Sequence, residues 1–111
     1  MADAPPPVLG LELATLLAIL RLGATAYGAA LRREVSAVVG RSYSVGAIYT
    51  TLHRLEEKGL ARSWAADPLP TRGGRSRRYF ELTARGRSAC REARARHDRM
   101  WKGVTLHPRP T

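Results

Sequence analysis

The sequence predicts a mainly α-helical fold carrying one small β-hairpin, an α+β arrangement. Three observations carry that expectation. Apolar residues recur at helical spacing over three stretches before Lys58 and, more weakly, over a fourth after Thr83. Between Leu60 and Leu82 the period falls toward two, and the strand-favouring Trp64, Tyr79 and Phe80 appear. Gly23, Gly40 and Gly59 close the first three helical stretches, as glycines do at helix C-termini. The 111 residues suffice for one domain and not for two.

Residues 1–8 hold the run Pro5, Pro6 and Pro7, which removes backbone donors and fixes φ, so an unstructured or polyproline-like arm is expected there. The first helix is expected over Leu11 to Leu22, with Leu13, Leu16, Leu17 and Leu20 as its stripe and Ala14, Ala18 and Ile19 widening it. Thr25 is the expected N-cap of a second helix over Ala26 to Val39, with Tyr27, Leu31, Val35 and Val38 on one face. Ser44 is the expected N-cap of a third helix over Val45 to Lys58. Its buried stripe reads Val45, Ile48, Tyr49, Leu52 and Leu55. The short link from Gly40 to Tyr43 has the length of a helix-turn-helix connection.

Leu60 to Ala66 alternates loosely, and Arg78 to Leu82 reads as its partner strand. Between them lies a stretch rich in turn formers and in arginine, so a hairpin with a long basic tip is expected. A hairpin directly after a helix-turn-helix is a wing, which makes the expected architecture a winged helix-turn-helix over residues 9–82. A fourth helix follows from the cap Thr83, and residues 83–104 are read as a dimerisation helix. Gly86, Cys90, Ala93, His97, Met100 and Val104 repeat at alternating spacings of four and three, a heptad-like seam of small residues. Gly103, Pro108 and Pro110 suggest that the chain frays beyond it, leaving residues 105–111 as a tail.

The charge is unusual and segregated. The net charge is +10, with 19 Lys and Arg against 9 Asp and Glu. Residues 1–60 carry six cations against five acids; residues 61–111 carry thirteen against four. Such a field favours a polyanion, nucleic acid first and an acidic membrane surface second. Arg, which outnumbers Lys heavily, suits forked contact with phosphate. Cys90 is the only cysteine, so no intrachain disulfide forms, and a lone thiol fits a reducing compartment. The N-terminus has no basic segment leading a long apolar run, and the longest apolar stretch, Leu13 to Leu20, is far below the ~20 residues that span a bilayer. A cytoplasmic protein is expected.

Enzymatic and metal chemistry find no support. His53, His97 and His107 share no ligand spacing with Cys90, the acids are scattered, and no glycine-rich loop leads from a strand into a helix. No catalytic residue, metal or cofactor is expected. Arg87, Arg91 and Arg94 near Cys90 suggest a lowered thiol pKa, which leaves a redox-sensing role beside the simpler one of a small seam residue.

A helix that enters a major groove needs small and polar residues on its outward face. The third helix offers Gly46, Ala47, Thr50 and Thr51, behind the cap Ser44. Tyr49 sits at the border of the stripe, where its phenol either reaches a phosphate or packs in the core. Arg54 and His53 are read as backbone contacts or solvated side chains. On the wing, Arg72, Arg75, Arg77 and Arg78 crowd around Gly73 and Gly74, a slim cationic tip suited to the minor groove or its flanking phosphates.

Residues 46–60, with Ile48-Tyr49, Leu52-His53-Arg54-Leu55-Glu56 and Gly59-Leu60, and residues 74–86, with Gly74-Arg75, Tyr79-Phe80, Leu82-Thr83 and Gly86, together resemble the PadR family of transcriptional regulators. The resemblance covers about residues 9–104. It implies a homodimer formed through the fourth helix, binding of inverted-repeat operators in double-stranded DNA, usually as a repressor, and in many members release by a ligand or stress signal. It implies DNA contacts from Tyr49 and the start of the third helix, and wing contacts from Gly74, Arg75 and Arg77. Ala47 stands where a hydroxyl residue is common and Thr50 where proline is common, so fine recognition differs from the family pattern. The dimer interface implied by the seam is completed by Trp101 and by Leu13 and Leu17 of the first helix. A small-molecule effector at that interface is left open: Trp101 either lines a pocket or packs the seam, and packing is the favoured reading. Two other functions use the same features, a sequence-tolerant architectural nucleic-acid binder and a winged-helix module that binds protein.

Overall fold

The computed structural model describes residues 5–66 and 77–107. Four α-helices and one antiparallel hairpin follow in order: α1 (Gly10–Leu22), α2 (Gly28–Val39), α3 (Val45–Glu57), β1 (Ala61–Ala65), β2 (Arg78–Leu82) and α4 (Ala84–Trp101). This is the expected winged helix-turn-helix, with the ends of α1, α2 and α3 within two residues of those expected and α4 lying inside the expected span 83–104.

One core holds the elements together. Leu16 and Ile19 from α1, Leu31 and Val35 from α2, and Ile48, Leu52 and Leu55 from α3 are buried there, joined by Leu60, Phe80 and Leu82 of the hairpin. Each such side chain contributes roughly 1.5–3 kcal/mol on burial. Ion pairs trim the edges: Lys58 Nζ lies 2.8 Å from both carboxylate oxygens of Glu12, and Arg21 Nη1 lies 2.7 Å from Glu34 Oε2. Both are surface pairs, each worth about 0–1 kcal/mol.

Four expectations are corrected. Val8, assigned to an unpacked arm, is fully buried in the core, and Arg96 Nη2 donates to its carbonyl oxygen at 3.0 Å, so the chain packs from Val8 onward. Residues 1–4 lie outside the described residues. Thr25 caps no helix. It ends a 3-10 turn over Gly23–Thr25 and its hydroxyl donates to Leu22 O at 2.7 Å, while Tyr27, with extended backbone, starts α2. The apolar stripes are narrower than their spacing suggests: Val45 is 52% exposed, and Leu17 and Leu20 are about 40% exposed. Tyr27 lies ahead of the α2 face and makes an antiparallel bridge with Tyr79, while Phe80 N–H donates to Ala26 O at 2.9 Å. That pairing fastens the hairpin to the entrance of α2.

The hairpin register pairs Ala61 with Leu82, Ser63 with Phe80 and Ala65 with Arg78. Phe80 and Leu82 face the core. On the other face Trp64 stacks on Tyr79 at 6.2 Å between ring centres, and Tyr79 meets Tyr27 edge-on at 5.8 Å. Helix α4 leaves the hairpin through Thr83, whose hydroxyl accepts from Gly86 N–H at 3.0 Å and donates to Gly59 O at 2.6 Å. It then packs on α1 through Ala89 and Ala93. No helix among the described residues is long and apolar enough to cross a membrane.

Candidate nucleic-acid interface

Helix α3 begins as expected. Ser44 Oγ accepts from Ala47 N–H at 3.1 Å, which satisfies one of the free amides of the first turn. Its hydroxyl is thereby engaged locally. Gly46, Tyr49, Thr50, His53 and Arg54 are exposed along one side of the helix, and Ala47 is half-buried. Thr51 is corrected. It is 4% exposed, and its hydroxyl donates to Ala47 O at 2.9 Å, so it belongs to the inner face and offers nothing to a groove. Three residues past Ile48 and four past Ala47, it falls on the side of α3 that the core takes.

Tyr49 goes the other way. It is 42% exposed, and its ring lies across the start of α2. A Cβ on residue 28 would collide with the Tyr49 hydroxyl and Cζ, so only glycine at that position admits the phenol. Around it Tyr27, Arg33, Arg77 and Arg78 complete a surface cleft of about 490 Å³. The Arg77 guanidinium lies 4.4 Å above the centre of the Tyr27 ring, a cation–π contact. Arg33 Nη2 points at Tyr27 Oη from 3.4 Å. Arg78 Nη1 donates to Ser63 Oγ at 3.2 Å, across the hairpin. Thus α2, α3 and the base of the wing meet on one basic, aromatic surface. Arg72, Gly74 and Arg75, named from the sequence as wing contacts, lie outside the described residues.

Sequence reasoning missed Tyr27, Gly28 and Arg33. In the sequence Tyr27 is one more position of an apolar stripe, and nothing in the local pattern ties it to Arg77, fifty residues away. The Arg32–Arg33 pair is visible, but only the fold turns Arg33 toward the wing.

A second surface gathers residues named for the dimer seam. Leu13 and Leu17 of α1 with Cys90, Ala93 and His97 of α4 line an apolar groove of about 470 Å³, flanked by Arg91 and Arg94. Ala93 is 3% exposed, so it floors the groove and packs on α1 instead of forming an outward seam. Met100 and Trp101, three and four residues past His97 on α4, lie on the same side of the helix, and they and Val104 beyond its end are all roughly half exposed. Trp101 Nε1 donates to His97 Nε2 at 3.1 Å, one helical turn away. Burial pushes the Cys90 thiol above its ordinary range, and the nearby Arg87 and Arg91 offset only part of that. The expected lowering by arginines is therefore overturned: loss of water around the sulfur outweighs two solvent-screened charges. No trio of His, Cys, Asp or Glu among the described residues is grouped to hold a metal ion.

Comparison with known proteins agrees with this geometry. A model of the Transcriptional regulator PadR-like family matches residues 16–92. No protein of curated function matches. Among solved structures, a PadR family transcriptional regulator from Eggerthella lenta is 31% identical, with 85% of this chain and 83% of that one covered and a TM-score of 0.59. A PadR-like transcription factor from Bacteroides fragilis is 22% identical over 83% of this chain and 84% of that one, with a TM-score of 0.65. A PadR family transcription regulator from Clostridium difficile is 24% identical over 82% and 92%, with a TM-score of 0.61.

Proposed function

The chain belongs to the PadR-like family of transcriptional regulators, and on that premise we propose that it is a homodimeric repressor that binds an inverted-repeat operator in double-stranded DNA in the cytoplasm. As in the family, it is a regulator and not an enzyme. One observation carries the reading. The exposed side of α3, opened by Tyr49 over Gly28, and the base of the arginine-bearing wing lie on the same surface. A duplex laid there meets a helix for the major groove and a cationic hairpin for the adjacent backbone.

Within this proposal Ser44, Gly46, Ala47, Tyr49, Thr50 and Arg54 line the groove-facing helix, and Arg72, Gly74, Arg75 and Arg77 form the wing contact. Residues 9–82 form the DNA-binding unit. Residues 83–104 form the dimerisation helix, with Leu13 and Leu17 completing the interface. The groove, with the exposed Met100 and Trp101 on the same side of α4, offers an apolar face, and a second copy is the occupant that a symmetric dimer supplies, with Val104 at its margin. In this reading Trp101 packs the seam, and an effector binds only where the two faces leave space.

Selection of bound sequences from a random duplex pool tests the function. A regulator yields a palindromic consensus bound ~10³-fold or more above random duplex. Enrichment of no sequence identifies an architectural binder instead. Arg75→Ala with Arg77→Ala should weaken binding and flatten its dependence on salt. Unchanged affinity and slope in that variant would remove the wing from the interface.

A further inference from the structure

The cleft at the junction of α2, α3 and the wing is more than a passive part of the DNA-facing surface. Its chemistry is that of an oxyanion receptor. Three guanidinium groups, Arg33, Arg77 and Arg78, and two phenols, Tyr27 and Tyr49, line it, with Arg78 engaged by Ser63 Oγ across the hairpin. Among the described residues that line it, none carries a carboxylate. Arg33 and Arg77 come from elements far apart in the sequence, yet both are held by one side chain. The face of the Tyr27 ring carries Arg77 at 4.4 Å, and the Tyr27 hydroxyl faces Arg33 Nη2 at 3.4 Å. Tyr27 is itself fixed by its backbone bridge to Tyr79 and by edge-on contact with the Tyr79 ring.

Resting on the DNA-binding reading above, we propose that Arg33, Arg77 and the Tyr49 hydroxyl bind one backbone phosphate of the operator in each half-site, and that Tyr27 is the positioning residue that aims both guanidinium groups at it. Two cations held on a rigid aromatic ring present forked N–H donors to the two non-bridging oxygens with little side-chain entropy left to lose. The Tyr49 phenol adds a neutral donor from the recognition helix. The same phosphate is then gripped by α2, by α3 and by the wing, so this grip sets the angle between the helix in its groove and the hairpin beside it. Arg33 thereby carries affinity and register but not sequence.

The test compares the full-length wild type with Arg33→Gln, Tyr27→Phe and Tyr27→Leu, each checked for an unchanged melting transition. Affinity for the selected operator and for random duplex is measured across a range of chloride concentration. Arg33 is exposed, so its replacement leaves the core untouched. Arg33→Gln is expected to lose about tenfold in affinity on both duplexes, as removal of a charged hydrogen bond does. Its log–log salt slope should fall by about 0.9 for each phosphate no longer neutralised. Tyr27→Phe keeps the ring beneath Arg77 and should lose less than Tyr27→Leu, which removes both supports. Tyr27→Phe combined with Arg33→Gln should be no weaker than Arg33→Gln alone, because both changes act on one phosphate.

A wild-type slope in Arg33→Gln, on an operator that the parent protein binds steeply, overturns the phosphate receptor and leaves the regulator reading intact. Loss of operator preference in place of uniform weakening overturns it too, by making Arg33 a reader of bases. Inorganic phosphate substituted for chloride at equal ionic strength separates the backbone from a free anion. If it raises the melting temperature of the wild type and not of Arg33→Gln, yet leaves duplex affinity of the wild type unchanged, the cleft serves a free oxyanion and the assignment to the duplex falls. A wild type that binds no duplex at low salt sinks both readings together.

Discussion

At the scale of single residues, the interface depends on side chains whose space is made elsewhere. Tyr49 lies over α2 only because residue 28 has no Cβ. In Gly28→Ala the far end of the phenol must swing away, a movement available to a half-exposed ring. The melting temperature should therefore change little, and if the Tyr49 phenol makes the proposed hydrogen bond to the duplex, operator affinity should fall by about 1 kcal/mol. A duplex-binding titration beside a thermal melt checks both halves. Equal affinity in this variant would remove Tyr49 from the interface. Cys90 illustrates the opposite case, a residue whose neighbours in sequence mislead. Its thiol is held above its ordinary range by burial. The folded protein thus keeps this proton at a pH where the unfolded chain has released it, so the raised pKa stabilises the fold below the ordinary thiol range, and that stabilisation fades as pH rises through the folded value. Iodoacetamide should alkylate Cys90 more slowly in the native protein than in urea at pH 8. Equal rates would show the thiol to be more reactive than its surroundings imply.

At the scale of elements, the junction between α3, the hairpin and α4 leaves no room for a side chain at residue 86. A Cβ on Gly86 would collide with the Leu60 carbonyl oxygen, a backbone atom that has nowhere to move, because Leu60 O also accepts from Thr83 N–H at 3.1 Å. Gly86→Ala should destabilise the fold by about 1–3 kcal/mol. In urea denaturation the midpoint should fall with little change in slope. A stability equal to wild type would mean that α4 leaves the hairpin along another path. Gly59 and Gly86 are both visible in the sequence as punctuation, but only Gly59 shows its role locally, as a helix terminator. Its φ of 74° fits that role. Gly86 presents itself as one position of a seam, and its close approach to Leu60 involves the end of the preceding helix, which no local pattern reports. The two threonine caps diverge for the same reason. Thr83 caps α4 as expected, whereas Thr25 is drawn into a 3-10 turn because Ala26 and Tyr27 are needed to pair with the hairpin.

At the scale of the whole molecule, one face is basic and aromatic and another is apolar. The apolar face combines α1 and α4 and leaves Leu17, Met100 and Trp101 about 40–60% exposed. If a second copy covers it, Leu17→Glu buries a carboxylate there at a cost of several kcal/mol. The variant should sediment as a monomer where the wild type sediments as a dimer, and should lose operator affinity without losing its helical circular dichroism. A wild type that sediments as a monomer at operator-binding concentrations would overturn the dimer.

The amino-acid sequence by itself determined the order and nature of the elements, because helix and strand periods, caps and glycine stops act between residues a few positions apart. It also placed the excess positive charge in the second half of the chain, where the wing and α4 lie. The tertiary structure alone decided which border residues turn outward: Thr51 into the core, Tyr49 across Gly28. It alone brought Arg33 and Arg77 to the two sides of Tyr27. Those outcomes depend on which surfaces the other helices occupy, and that competition for space is settled only when distant segments pack together.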